Sequence, residues 1–168
     1  LAISSCGQDN DTTTTLTRTE DSQVSQSFSI DDFLKENQKL EMLTDSIFAS
    51  LTNKQKISQL IMPAAGKYGK PHETINGLMK DGLIGGILML NGTVEQFTTW
   101  IKEFNTLNQS RGNLPFLYSA DAEPSLVNRK IMGSTPVKKA NEIDSIQEVK
   151  SVTQKISSDL NKIGINYN

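Results

Sequence analysis

The sequence has one cysteine and one histidine in 168 residues. The single cysteine, Cys6, cannot close a disulfide within the chain. The histidine, His72, directly precedes a helix-forming glutamate, and we expect it at the surface. A metal site built from His72, Asp121 and Glu123 would lack any recognisable ligand spacing, so we expect no metal ion.

Long apolar runs and an excess of positive charge are also missing. No stretch approaches the roughly 20 apolar residues that span a bilayer. The net charge of −2 gives no electrostatic reason to expect a nucleic-acid partner. No GxGxxG or P-loop pattern follows any predicted strand, which argues against a bound nucleotide, and we expect no cofactor.

The amino-terminal segment is polar and contains few apolar residues. It runs "GQDNDTTTTLTRTEDSQ" from residue 7 onwards. Such a composition cannot bury enough surface to offset the entropy of ordering the chain. We therefore predict a disordered polar tether over residues 7–28.

Residues 1–6, "LAISSC", resemble the end of a bacterial lipoprotein signal peptide. In such a signal, Cys6 becomes the lipidated first residue of the mature protein. The resemblance implies a membrane partner through a lipid anchor and a place in the bacterial cell envelope, at the outer membrane or the periplasmic face. The alternative is an incidental cysteine near a ragged end of the sequence.

The remainder of the chain alternates between helix and strand signals. Apolar side chains at helical spacing, a capping box at Thr52–Gln55 and a proline at 71 predict successive helices. Continuous apolar runs predict strands between them. The predicted order is a helix in 29–51, a helix from 52, a helix end or short strand in 59–64, a helix at 71–81, a strand at 83–90, a helix at 94–107, a strand at 114–118, a helix at 146–163 and a strand beginning at Ile165.

This alternation predicts an α/β fold in which parallel strands are joined by right-handed crossovers. The chain offers about three and a half strand–helix units. A (β/α)8 TIM-type barrel needs roughly 250 residues. The chain is therefore either the first half of such a barrel or most of a small doubly wound sheet.

One stretch, "LPFLYSADAEPSLVNR", places two carboxylates directly after a predicted buried strand. Groups just past the carboxyl ends of parallel strands face the ligand crevice, and a carboxylate there can accept charge-assisted hydrogen bonds from hydroxyl groups. Asp121 and Glu123 are thus candidates for a sugar or metal site. The alternative is that they cap the following turn, with Arg129 as a local salt-bridge partner.

Four segments in this order, "LTNKQKISQLIM", "DGLIGGILML", "LPFLYSADAEPSLVNR" and "DLNKIGINYN", resemble successive landmarks of the N-terminal barrel of family 3 glycoside hydrolases. The closest resemblance is to the β-N-acetylhexosaminidase branch, and it covers about residues 50–168. It implies that residues 29–168 are the incomplete, N-terminal portion of a barrel domain whose substrate is a carbohydrate containing N-acetylglucosamine.

The resemblance also implies roles for three residues. Asp121 matches the aspartate that binds sugar hydroxyls in the −1 subsite, Arg129 matches the arginine that closes the motif D-x-E-G-G-x-V-x-R, and Glu123 matches its glutamate. Pro124 and Ser125 replace the two glycines of the motif, so the loop must run differently because proline forbids conformations that glycine allows.

No catalytic residue is expected within these 168 residues. The Lys-His pair, the Asp-His acid/base loop and the nucleophilic aspartate of the family would all lie beyond Asn168. We therefore expect a glycoside hydrolase as the full-length protein and no activity from this fragment alone. The alternative is a non-catalytic glycan-binding lipoprotein with a degenerate barrel, which the replacements at 124 and 125 favour.

The lipid anchor gives a first testable prediction. Replacing Cys6 by alanine in the complete precursor, expressed in a bacterium, should move the protein from the membrane fraction to the soluble fraction, because the lipid is attached to the Cys6 thiol. Fractionation followed by immunoblotting measures the distribution, with the unaltered precursor as control. If the alanine variant stays in the membrane fraction, the anchor lies elsewhere.

Overall fold

The computed structural model describes residues 34–168. The predicted lipidation of Cys6, the signal-peptide end at residues 1–6 and the tether at 7–28 lie outside the described residues. Residues 39–168 form one compact unit. Among the described residues, no helix combines the length and the apolar character needed to cross a bilayer.

Most helices lie close to where the sequence predicts them, because their ends carry strong local signals. The first is an exception: residues 35–37 are not helical, so the prediction of one helix across 29–51 is wrong there. Thr52 forms the predicted capping box with Gln55, Ser145 accepts a hydrogen bond from the Glu148 amide, and Gly164 ends the last long helix in the left-handed conformation. The main helices are α1 (Gln38–Ser50), α2 (Asn53–Ser58), α3 (His72–Lys80), α4 (Val94–Ser110), a short α5 (Val127–Lys130) and α6 (Ile146–Ile163).

The central sheet is parallel, as predicted, with strand order β1-β2-β4. Its strands are β1 (Ala64–Ala65), β2 (Gly86–Met89) and β4 (Leu117–Ser119). Beyond β4, Tyr167 forms a single parallel bridge with Ser119, which is the start of the fourth strand that the sequence predicts. The strand order follows the chain order without reversal.

The strands are shorter than their apolar runs. The first strand begins only after Pro63 rather than near Leu60, because Leu60 and Ile61 make turn hydrogen bonds back to α2. Proline has no amide hydrogen to donate to a neighbouring strand. Pro63 therefore contributes only its carbonyl, which accepts a hydrogen bond from the Leu88 amide. A strand beginning near Leu60 was thus wrong by about four residues, whereas the alternative, in which this segment finishes the preceding helix, agrees with the turns at Leu60 and Ile61.

A second, two-stranded parallel sheet was not predicted from the sequence. It pairs β3 (Gly92–Thr93) with β5 (Ile131–Met132). A single turn of 3-10 helix, Ala140–Glu142, follows in the connection to α6. This small sheet ties the segment after β2 to the segment after β4.

The core lies between the central sheet and one layer of helices, in which α4 packs against both α3 and α6. Ile87, Met89 and Tyr118 point from the sheet into this layer and are at most 2% exposed. The largest fully buried helix side chains in the same cluster are Phe97 and Phe104 of α4, with Ile75 and Met79 of α3.

The opposite face of the sheet is less well covered. The register places Gly86 beside Leu117 and Leu88 beside both Ala64 and Ser119, so these residues share that face. Leu117 is 49% exposed there, and Ser119 donates a hydrogen bond to the sulfur of Met62 at 3.0 Å. Parallel sheets are ordinarily buried on both faces. The further prediction, that this sheet is the first half of a barrel, stays a prediction.

Two glycines give matched tests of this packing. A Cβ at Gly86 would lie 2.5 Å from the Leu117 carbonyl oxygen and 2.6 Å from the Met62 methyl carbon, whereas a Cβ at Gly77 in α3 meets nothing within 4 Å. Gly86→Ala should destabilise the fold by about 1–3 kcal/mol through overpacking. Gly77→Ala should stabilise it by about 0.5–1 kcal/mol, since alanine is the better helix former. Thermal unfolding followed by the fluorescence of Trp100 measures both, and equal midpoints for the two variants would contradict this packing.

Candidate functional site

The loops after β1, β2 and β4 meet at the carboxyl edge of the sheet. The Lys67 amide donates to the Asn91 carbonyl at 2.8 Å, which joins the first loop to the second. The β3–β5 ladder then joins the second loop to the segment after β4. Because all three loops are held by backbone hydrogen bonds, the side chains that they carry have fixed relative positions.

Asp121 lies directly beyond β4, at this edge, as the sequence predicts. Its side chain is 47% exposed, and one carboxylate oxygen, Oδ2, accepts a hydrogen bond from the ammonium of Lys130. The Lys130 side chain is only 19% exposed. A partly solvated carboxylate held by a mostly buried cation is a suitable hydrogen-bond acceptor for a polar ligand.

Glu123 lies on the same loop, and its side chain points into solvent. Its main-chain carbonyl accepts hydrogen bonds from the amides of Leu126 and Val127, both at 2.9 Å. These bonds start α5, so the backbone of Glu123 turns the chain while its carboxylate stays free of ion pairs among the described residues.

Arg129 is exposed and makes no ion pair within residues 34–168. The local salt-bridge partner of Asp121 is the next residue, Lys130, so the sequence-based choice of Arg129 for that structural role is wrong. A helix turns by 100° per residue, and neighbouring side chains on α5 therefore point in different directions. The substrate-binding roles of Asp121, Glu123 and Arg129 stay predictions.

Ser125, one of the two residues that replace the motif glycines, has a contact that the sequence did not indicate. Its hydroxyl accepts a hydrogen bond from the Ala140 amide at 3.1 Å, fifteen residues later. We call residues 133–143, between β5 and α6, the anchored loop. A serine in place of glycine thus supplies a hydroxyl that ties the Asp121 loop to the anchored loop.

Further side-chain contacts hold the anchored loop. Asn128 donates to the Thr135 carbonyl at 2.9 Å and accepts from the Val137 amide at 3.0 Å. Lys138 pairs with Glu148 at the start of α6, and this hydrogen bond raises the pKa of Lys138 and lowers the pKa of Glu148. The loop is therefore fixed from the α5 side and from the α6 side.

Two asparagines after α6 were also missed by the sequence analysis. The Asn166 side chain accepts from the Tyr118 amide at 2.8 Å and donates to the Phe116 carbonyl, in the manner of a neighbouring strand. The Asn168 side chain accepts from the Ala122 amide at 2.9 Å. Asn168 therefore helps to fix the loop that carries Asp121. The spacing in "GINYN", with an asparagine at every second position, is the only sequence signal for this pair.

A recess of about 440 Å³ adjoins this loop. Its walls come from the Asp121 loop, one face of α6 and the extended segment after α6, including Glu123, Pro124, Ile156, Leu160, Tyr167 and Asn168.

Tyr118 and His72 lie away from this edge. Burial raises the pKa of the Tyr118 phenol, whose hydroxyl donates to Asn105 at 2.9 Å, so it stays neutral and structural. The His72 ring packs against Trp100 and Phe104, with centroids 5.1 and 5.0 Å apart, and its side chain is 31% exposed. The surface position expected for His72 is therefore only partly right. Within the described residues, no group of three or more His, Cys, Asp or Glu side chains could hold a metal ion.

Comparison with solved structures finds a similar fold in a family 3 glycoside hydrolase. The chain is similar to a β-N-acetylglucosaminidase of this family from Paenibacillus sp. str. FPU-7, with 27% sequence identity and a TM-score of 0.59. The match covers 70% of this chain and 23% of that chain. No family model and no curated protein sequence matches. The fold thus resembles part of a glycoside hydrolase, and the chain spans about a quarter of that enzyme's length.

The hydroxyl of Ser125 gives a prediction about the anchored loop. Ser125→Ala removes the acceptor of the Ala140 amide, so hydrogen–deuterium exchange at residue 140 should become about tenfold faster, as expected for losing a bond worth about 1 kcal/mol or slightly more. Ser158→Ala, on an exposed face of α6, serves as the control and should leave exchange at residue 140 unchanged. Equal exchange in all three proteins would show that the contact does not hold the loop.

Proposed function

We propose that this chain is the N-terminal part of an envelope-anchored glycoside hydrolase that acts on β-N-acetylglucosaminide linkages in cell-wall or other glycans. The observation that carries the proposal is Asp121. It is a half-exposed carboxylate on the loop after β4, in a sheet similar to that of a family 3 β-N-acetylglucosaminidase. In a parallel α/β sheet this edge is where ligands bind.

Asp121 serves as a sugar-binding residue in this proposal, not as a catalyst. Retaining and inverting glycosidases use two carboxyl groups that flank the scissile bond from different sides. Asp121 and Glu123 sit on one short loop before α5, two residues apart, and cannot flank a bond in that way. The nucleophile and the acid/base are therefore proposed to follow Asn168 in a longer polypeptide.

The same proposal accounts for the open face of the central sheet. Met62, Leu88 and Leu117 line a face that is incompletely covered in the described residues. Further strands of a (β/α)8 barrel would cover it, since the interior of such a barrel is filled by layers of side chains from all its strands. The lipid on Cys6 would hold the barrel at the membrane through the tether at 7–28.

A second candidate is a glycan-binding lipoprotein that holds sugars without cleaving them. Pro124 and Ser125 favour it, because proline restricts the backbone where the family motif has glycine and Ser125 fixes the loop to the Ala140 amide. The two candidates differ in turnover: the hydrolase cleaves a chromogenic N-acetylglucosaminide, and the binding protein retains it intact.

The test of this function replaces Asp121 by alanine in the complete polypeptide. Losing one or two hydrogen bonds to a charged group should weaken glycan binding or kcat/KM by about 1.5–3 kcal/mol each. Asp81→Ala, at the carboxyl end of α3 before β2 begins, is the matched control, and the 168-residue chain alone should show no turnover. Unchanged affinity and kinetics for Asp121→Ala, with an intact thermal transition, would rule out the sugar-binding role.

A further inference from the structure

The ion pair between Asp121 and Lys130 brings together two groups nine positions apart, at the carboxyl edge of the sheet. The exposures of the two side chains differ. The Lys130 side chain is 19% exposed and packs against the protein, whereas the Asp121 side chain is 47% exposed and faces solvent. The ammonium therefore approaches the carboxylate from the protein side and leaves its outer side open to a ligand.

The backbone fixes Lys130 more firmly than a surface lysine. It lies between Val127 and Ile131, both 1% exposed. Its amide donates to the Leu126 carbonyl at 3.0 Å, and β5, which pairs with β3, begins at the next residue. The backbone of Lys130 is thus fixed, and its ammonium is held by Asp121 Oδ2.

The pair still has unused hydrogen-bonding capacity. A lysine ammonium carries three N–H donors, and Asp121 Oδ2 accepts from one of them. Oδ1 of Asp121 has no hydrogen-bond partner within residues 34–168. The pair thus offers an acceptor and donors side by side. Two neighbouring hydroxyl groups on a sugar ring match this arrangement, because each hydroxyl can either donate or accept.

We propose that Lys130 is a cation of the glycan-binding site, where its ammonium positions Asp121 and donates to a sugar hydroxyl beside the one from which Asp121 accepts. This inference rests on the proposed function, and it adds a residue outside the family motif. It also predicts selectivity: the site prefers sugars with two free adjacent hydroxyls over analogues that lack one of them.

The experiment uses the complete polypeptide with Lys130→Met, which keeps the stem and removes the charge. Binding of methyl N-acetyl-β-glucosaminide and of its 3-, 4- and 6-deoxy analogues is measured by isothermal titration calorimetry. Lys130→Met should weaken binding of the parent sugar about tenfold or more, the effect of one hydrogen bond to a charged group. Lys130→Arg should restore part of the affinity. Lys150→Met, on an exposed position of α6, is the control and should bind as the unaltered protein does.

The deoxy sugars separate a ligand contact from a purely structural effect. With the unaltered protein, the 3-deoxy and 4-deoxy analogues, which each lack one of the two adjacent hydroxyls, should bind about tenfold more weakly than the parent sugar. In Lys130→Met this difference should fall to near onefold for the analogue that lacks the hydroxyl contacted by Lys130, and should persist for the other. If Lys130→Met unfolds, Lys130→Arg and Lys130→Gln replace it in the same comparison.

The outcomes distinguish this inference from the function it rests on. If the unaltered protein binds the sugar and Lys130→Met retains its affinity and its discrimination among the analogues, the role of Lys130 is overturned and the proposed function stands. If Arg129→Met weakens sugar binding and Lys130→Met does not, the contact with the sugar is made by Arg129 instead. If the unaltered protein binds no sugar at all, both proposals fail.

Discussion

The pairing of β2 with a parallel strand on each side is the constraint on which the rest of the structure depends. This pairing requires neighbouring groups to lie very close to Gly86, the first residue of β2. The Leu117 carbonyl and the Met62 side chain occupy the space that a Cβ at this position would need. With that register set, Ile87 and Met89 face the helix layer, and the loops after β1, β2 and β4 emerge at one edge. The register brings Asp121 to this edge, and its carboxylate is held there by the Lys130 ammonium.

The helices could be predicted because their signals are local. The capping box at Thr52, the cap at Ser145 and the left-handed glycine at 164 each act within a few residues. The short strands β3 and β5 and the helix α5 could not be predicted in the same way. β3 and β5 are held by partners about 40 residues apart, and two-residue strands show no periodicity. The helix α5 has only four residues, which is also too short for a periodic pattern.

The cation next to Asp121 shows a second limit of sequence reasoning. The motif identifies the position of Arg129, but the direction of a side chain depends on the phase of α5, and that phase is set by the buried residues Val127 and Ile131. A one-residue shift along a helix turns the side chain by 100°. The resemblance to the family therefore located the loop correctly, whereas the choice between adjacent basic residues needed the three-dimensional structure.

The hydrogen bond between the Ala122 amide and Asn168 spans 46 residues of sequence. On a ribosome, which releases the chain from the amino end, β4 and the Asp121 loop emerge long before this asparagine does. The loop therefore cannot reach its final shape until α6 and the segment after it have left the exit tunnel. Maturation of this edge of the sheet is in this way set by the order of synthesis, and a nascent chain stalled before Asn168 would carry the Asp121 loop without that restraint.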